Sequence, residues 1–251
     1  MSYISFCFSP TGGTRKVLSS VLRGWNVPFH SVDLMTPVQK KYYKAEDLCL
    51  FAVPSYGGRV PSVVVDRIRD LWGNGARAVL IVVYGNREVE DTLLELSDEL
   101  NKAGFRCVAA ITAIAQHSLL PDIASGRPDE HDKAQLQQFG KELAEKLERG
   151  ELTEKVSVPG NRPYREYKGV PLKPMASGHC IGCGRCAAQC PVNAISQLNY
   201  KNTDTRVCIS CMRCVLVCPV HIRKVNPLMV RAATLGMKKK CSVPKENQLI
   251  L

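Results

Sequence analysis

Residues 3–15 read Tyr3-Ile4-Ser5-Phe6-Cys7-Phe8-Ser9-Pro10-Thr11-Gly12-Gly13-Thr14-Arg15. An apolar, strand-like run ends in a short loop of hydroxyls and glycines, and a helical pattern follows. Four more such runs lie downstream, at 29–34, 48–53, 78–84 and 107–114. Helical spacing separates them: Val89, Leu93, Leu96 and Leu100 recur before Gly104, and Leu136, Phe139, Leu143 and Leu147 before Gly150. A glycine just past such a stripe is the usual left-handed cap. Five strands alternating with helices predict an α/β fold, a doubly wound five-stranded parallel sheet, over residues 1–150.

In such a sheet a ligand sits beyond the C-terminal strand ends, where the winding reverses. The loop Ser9, Pro10, Thr11, Gly12, Gly13, Thr14 puts hydroxyls and free backbone N–H groups at a helix start, an anion site suited to a phosphate monoester. A Walker loop would need Gly-Lys followed by Ser or Thr, and a dinucleotide fold G-x-G-x-x-G after a strand. Neither is present, so nucleoside triphosphate and classical nicotinamide sites are disfavoured. The third strand ends in Pro54-Ser55-Tyr56-Gly57-Gly58-Arg59-Val60-Pro61 and the fourth in Tyr84-Gly85-Asn86-Arg87. Tyr56 and Tyr84 offer flat faces for stacking. Arg59 and Arg87 sit near helix starts, where a cation opposes the dipole and needs an anionic partner. His117 follows the fifth strand on the same edge.

Twelve cysteines punctuate the chain. Cys180, Cys183, Cys186 and Cys190 precede Pro191; Cys208, Cys211, Cys214 and Cys218 precede Pro219. Both runs are C-x2-C-x2-C-x3-C-P, and each cysteine of the second lies 28 residues after its counterpart, an internal duplication. No signal-like segment opens the chain, so a reducing cytoplasm and metal ligation are expected rather than disulfides. Structural zinc fits poorly, because it takes C-x2-4-C pairs rather than triplets. The pattern predicts two [4Fe-4S] clusters, with the fourth cysteine of each run serving the other cluster. Cluster one takes Cys180, Cys183, Cys186 and Cys218; cluster two takes Cys208, Cys211, Cys214 and Cys190. Cys7, Cys49 and Cys107 lie in apolar runs and read as small core residues. Cys241, after Lys238-Lys239-Lys240, reads as an exposed thiol.

On these eight cysteines, residues 179–222 resemble a bacterial dicluster ferredoxin, a small α+β electron carrier. Ser9, Thr11, Gly12 and Thr14 match the (S/T)-x-T-G-x-T phosphate loop of flavodoxins, and the loops at 54–61 and 84–87 fall where flavodoxins hold the isoalloxazine ring. The whole chain is similar to the flavodoxin/ferredoxin fusion proteins of anaerobes. The resemblance implies FMN bound by Ser9, Thr11, Gly12, Gly13, Thr14, Pro54, Ser55, Tyr56, Gly57, Gly58, Arg59, Tyr84, Gly85, Asn86 and Arg87. It also implies that Gly57 or Gly58 turns a peptide toward the flavin on reduction. Arg59 and Arg87 depart from the acidic ring loops usual in flavodoxins, and one of them is expected to stabilise reduced flavin or dock an acidic partner. A flavodoxin fold that has lost its flavin is the alternative at this site.

Charge divides the chain as the motifs do. Residues 1–150 carry 18 basic and 18 acidic side chains, so the whole net charge of +11 falls in 151–251. Each oxidised cluster with its thiolates carries about −2, and a flavin phosphate adds to this, which offsets much of the excess and disfavours nucleic acid. Acidic redox proteins of ferredoxin or flavodoxin type are the expected partners. No apolar run approaches the length a membrane span needs, and homo-oligomerisation is left open. Residues 151–178, rich in Pro and Gly, read as an extended ordered connector, and 223–251 as a basic tail with a short helix around 230–235. The expected activity is electron transfer between the clusters, FMN and external redox proteins. The alternative is a ferredoxin-dependent flavin reductase acting on a small organic substrate. An iron-sulfur sensor or scaffold would hold clusters without flavin.

Overall fold

The computed structural model describes all residues, Met1–Leu251. In chain order the first unit contains β1 (Tyr3–Cys7), α1 (Gly13–Leu22), β2 (His30–Asp33), β3 (Lys41–Tyr42), β4 (Leu48–Pro54), α2 (Ser62–Ile68), β5 (Leu71–Trp72), β6 (Arg77–Tyr84), α3 (Thr92–Lys102), β7 (Arg106–Ile114) and α4 (Glu130–Glu148). The cysteine-rich part adds β8 (Met175–Ala176), α5 (Arg185–Ala188), α6 (Arg213–Leu216) and β9 (Arg223–Lys224), followed by α7 (Pro227–Lys238) and β10 (Gln248–Ile250).

The main sheet runs β10-β7-β6-β4-β1-β2. Its five expected strands are parallel, in the doubly wound order that places a switch point between β1 and β4. Central strands read as unbroken apolar runs because helices cover both faces. Alternate residues go to opposite sides: Phe6, Phe51 and Leu80 pack with α2 and α3, whereas Leu50, Ile81 and Ile111 pack with α1 and α4.

Three expectations are corrected here. The sheet has six strands, because β10 adds antiparallel to the β7 edge, pairing Leu249 with Ile111. Residues 223–251 are therefore no simple tail. Arg223 and Lys224 pair back onto Met175 and Ala176, α7 spans twelve residues, and the end of the chain returns to the first unit. Asn247 holds it there: its Oδ1 accepts from the Ile114 amide at 2.9 Å while its Nδ2 donates to Asp132 and Gln135. Cys241 is also buried rather than exposed, packed with Leu120, Ile123 and Leu172. Cys7, Cys49 and Cys107 are core residues as read, and burial pushes the Cys7 thiol up to about 12 and that of Cys107 up to about 11.

Candidate redox site

At the switch point β1 runs into a loop that leaves α1 without a side-chain cap: Gly12 takes a φ of 94° at the N-cap position, and no acidic residue occupies the first turn. The Ser9 hydroxyl accepts from the Arg15 amide at 3.0 Å, which ties the loop to the helix. Helix N–H groups left in this way attract an anion.

A cavity of about 600 Å³ opens against this loop. Thr11, Gly13 and Thr14 line one part of it. Pro54, Ser55, Tyr56 and Gly57 line another, with Tyr84, Gly85 and Arg87 beside them. Ser9, Gly12, Gly58, Arg59 and Asn86 do not reach its wall, although the sequence reading grouped them with it. His117 does reach it, with Nδ1 accepting from the Leu119 and Leu120 amides; burial, reinforced by Arg87, lowers its pKa to about 4, which keeps the ring neutral.

The two arginines are spoken for by chain carboxylates. Arg59 donates Nε and Nη2 to Glu95 at 2.8 and 2.6 Å, its Nη1 to the Arg165 carbonyl, and its guanidinium lies over Tyr164. Arg87 forks onto Glu90. Each anionic partner required at a helix start is thus internal, which removes the free cation expected near the flavin. Asn86 is likewise redirected. Its buried amide donates to the carbonyls of Cys241 and Val243 and accepts from the Lys245 amide, so it holds the C-terminal segment.

The connector forms a wall of the cavity. Asp91 accepts from the backbone amides of Asn161 and Arg165 at 2.8 and 2.7 Å; burial alone would raise its pKa, but these bonds hold it below the usual carboxylate value. One helical turn on is Glu95, which holds Arg59, and then Asp98, which holds Arg162 and Tyr164. This acidic face of α3 clasps the connector and presents Tyr167 over Gly57. Gly57 has a φ of 63°, and a Cβ there would run into the Tyr167 ring. Burial pushes the Tyr56 phenol well above the usual range, and Cys211 and Tyr167 add to the shift.

The eight motif cysteines gather in two sets. Cys180, Cys183, Cys186 and Cys218 line one small cavity, with Arg223 on its wall. Cys190, Cys208, Cys211 and Cys214 line a second. This is the crossed grouping the spacing predicts. Cys183 is exposed, whereas Cys211 and Cys214 are buried, so the first set faces outward and the second inward. The inner set adjoins the large cavity, because Ile209 and Ser210, between Cys208 and Cys211, line both that cavity's wall and the loop around the thiols.

Buried polar atoms without partners concentrate here. They include the Arg67 Nη1, Arg213 Nε and Arg223 Nε donors. Arg67 reaches across from α2 to the Pro191 carbonyl beside Cys190, and Arg213 joins the Pro10 carbonyl of the phosphate-loop region to Gln189. Burial pushes the Cys186 and Cys214 thiols up, and in each the Arg223 cation is the principal opposing influence. Orphaned donors around converging thiols suit an anionic sulfur-rich group. A cavity with an open helix end and two tyrosines suits a phosphorylated aromatic one. The residues fit both implied cofactors. Tyr167, Ser210, Arg67 and Arg223 escaped the sequence reading; the 28-residue register alone carries a signal, because it sets Ser210 against Gly182.

Residues 179–222 match the 4Fe-4S dicluster domain family. No curated protein matches the chain. Among solved structures, a flavodoxin from Streptococcus pneumonia TIGR4 is 21% identical, covering 58% of this chain and 98% of that one, with a TM-score of 0.41. Oxidised Flavodoxin 1 from Bacillus cereus is 15% identical over 58% of this chain and 98% of that one, with a TM-score of 0.42. The Flv1 flavodiiron core from Synechocystis sp. PCC6803 is 13% identical over 59% of this chain, with a TM-score of 0.43, and the match spans only 36% of that protein's length. The strand order and the matched domain together define a flavodoxin-like α/β unit fused to a ferredoxin-type 4Fe-4S module, an architecture of redox electron transfer. No helix is long and apolar enough to cross a membrane.

Proposed function

We propose that this protein carries electrons between two [4Fe-4S] clusters and FMN on one chain, and exchanges them with external redox proteins. The observation that supports this best is the shared wall: Ile209 and Ser210 of the inner cysteine loop line the same cavity as Tyr56, Gly57 and Tyr84. In this reading Cys180, Cys183, Cys186 and Cys218 hold the outer cluster, and Cys190, Cys208, Cys211 and Cys214 the inner one. Thr11, Gly13 and Thr14 hold the flavin phosphate, and Tyr56 and Tyr84 flank the ring. When bound, the clusters supply one-electron steps and the flavin converts between single and paired electrons.

The chain's own residues set the route. The exposed Cys183 marks the outer set as the point of exchange, and acidic partners are drawn by the basic residues of 151–251. Tyr167 and the clasped connector cover the ring site, so electrons reach it through the inner set rather than from a protein docked on the flavin. His117, neutral and anchored through Nδ1, keeps an uncharged wall beside Arg87.

Anaerobic assembly tests the reading. It expects about eight irons and one FMN retained per chain; iron without retained flavin would overturn it.

A further inference from the structure

The internal duplication aligns Cys180-Ile181-Gly182-Cys183-Gly184 with Cys208-Ile209-Ser210-Cys211-Met212. Both loops need left-handed backbone at the third and fifth positions. Gly182 and Gly184 meet that need at φ 68° and 71°, where glycine carries no penalty. Ser210 and Met212 occupy the same conformation at φ 54° and 63°, where a side chain is strained. Met212 compensates by packing, buried on the wall of the inner cysteine cavity. Ser210 has no such return. It is 3% exposed, and its hydroxyl is buried without a hydrogen-bond partner, a second cost on top of the strain. Glycine at 210 would remove both costs, and the first loop shows that glycine suits this geometry.

Ser210 is also the residue of the inner loop that, with Ile209, lines the large cavity, while its amide donates to the Cys208 sulfur at 3.4 Å. We propose that Ser210 is a flavin-binding residue, whose hydroxyl hydrogen-bonds the isoalloxazine and so links the inner cluster loop directly to the flavin. The inference rests on the flavin reading of the cavity and adds a contact from the ferredoxin-type module that flavodoxin loops alone do not provide. The flavin site is then incomplete without the second module, and the cost of the unpaired hydroxyl at 210 is offset only when flavin is bound.

The test uses cluster-loaded protein stripped of flavin, with iron content verified, in wild-type, Ser210→Gly and Ser210→Ala forms. FMN affinity is read by fluorescence quenching, and melting temperature is read before FMN is added. Ser210→Gly is expected to melt higher than wild type without flavin, yet to bind FMN about five- to tenfold more weakly, the loss of one hydrogen bond. Ser210→Ala should lose similar affinity with a smaller gain in melting temperature, because the strain stays. A purely structural serine would instead lower the melting temperature and leave affinity unchanged. Unchanged affinity in Ser210→Gly, or in Ser210→Ala should the glycine form lose iron, overturns the proposal. Wild-type protein that binds no FMN contradicts the functional reading instead.

Discussion

Arg67 donates its Nη2 to the carbonyl of Pro191 at 3.0 Å, joining the flavodoxin-like unit to the residue that follows Cys190. Arg67 is 6% exposed and has no carboxylate within ion-pair distance; its only hydrogen-bonded partner is that carbonyl. A buried hydrogen bond from a charged donor contributes about 1.5–3 kcal/mol. Arg67→Ala is expected to lower stability by that amount in denaturant titration of the cofactor-loaded protein, with the first loss at the junction between the two units.

The C-terminal segment depends on Asn86 in a comparable way. Its amide makes three hydrogen bonds to backbone at 241–245, each contributing about 0.5–1.5 kcal/mol. Asn86→Ala should release this strand from the sheet. Hydrogen exchange should then show lost amide protection over residues 241–250 while β4 and β6 stay protected.

Arg223 is 1% exposed, donates to the carbonyls of Tyr200 and Asn202, and pairs with no carboxylate. A buried cation without a counter-ion is costly. Arg223 opposes the burial-raised pKa of Cys186 in one set and of Cys214 in the other, so in the proposed reading both clusters are its anionic partners. Reduction adds negative charge to a cluster, which a neighbouring cation favours. Arg223→Gln is expected to shift both cluster potentials to more negative values in an EPR-monitored titration, and Arg223→Lys to restore most of the shift. Unchanged potentials with lowered stability would limit Arg223 to clipping those carbonyls.

His117 gives a pH signature. Burial and Arg87 lower its pKa from 6.5 to about 4, so the unfolded chain binds its proton more readily than the native one. Its contribution is fully present above 6.5 and is lost as pH falls toward 4. His117→Asn, which keeps an acceptor for the Leu119 and Leu120 amides, should flatten the dependence of stability on pH across that window and change little at higher pH.

β4, β6 and β7 were legible because each is a long apolar run bounded by turn residues, whereas β2, His30-Ser31-Val32-Asp33, is short and mostly polar and was legible only from the apolar Phe29 and Leu34 that flank it. β10 was not. Gln248, Leu249 and Ile250 carry no alternation, and only the free edge of β7 and the Asn247 bonds make them a strand. The crossed cysteine sets were legible from the doubled C-x2-C-x2-C-x3-C-P pattern, in which the fourth cysteine of each run serves the other cluster; the short intervals alone would have kept each run to itself. Arg59 was misread for the opposite reason: its place after a strand says nothing of Glu95, 36 residues further on, which accepts it. Tyr167 and Ser210 acquire their roles only where connector, cysteine loop and strand ends meet.

The claim that electrons pass within one chain is tested most directly by stopped flow. Anaerobic cofactor-loaded protein is mixed with a reduced one-electron carrier protein, and cluster and flavin absorbance are followed together. Cluster bleaching should come first, and flavin bleaching should follow at a rate that does not change with protein concentration. A flavin rate that rises in proportion to protein concentration, or flavin reduced before the clusters, would contradict the account.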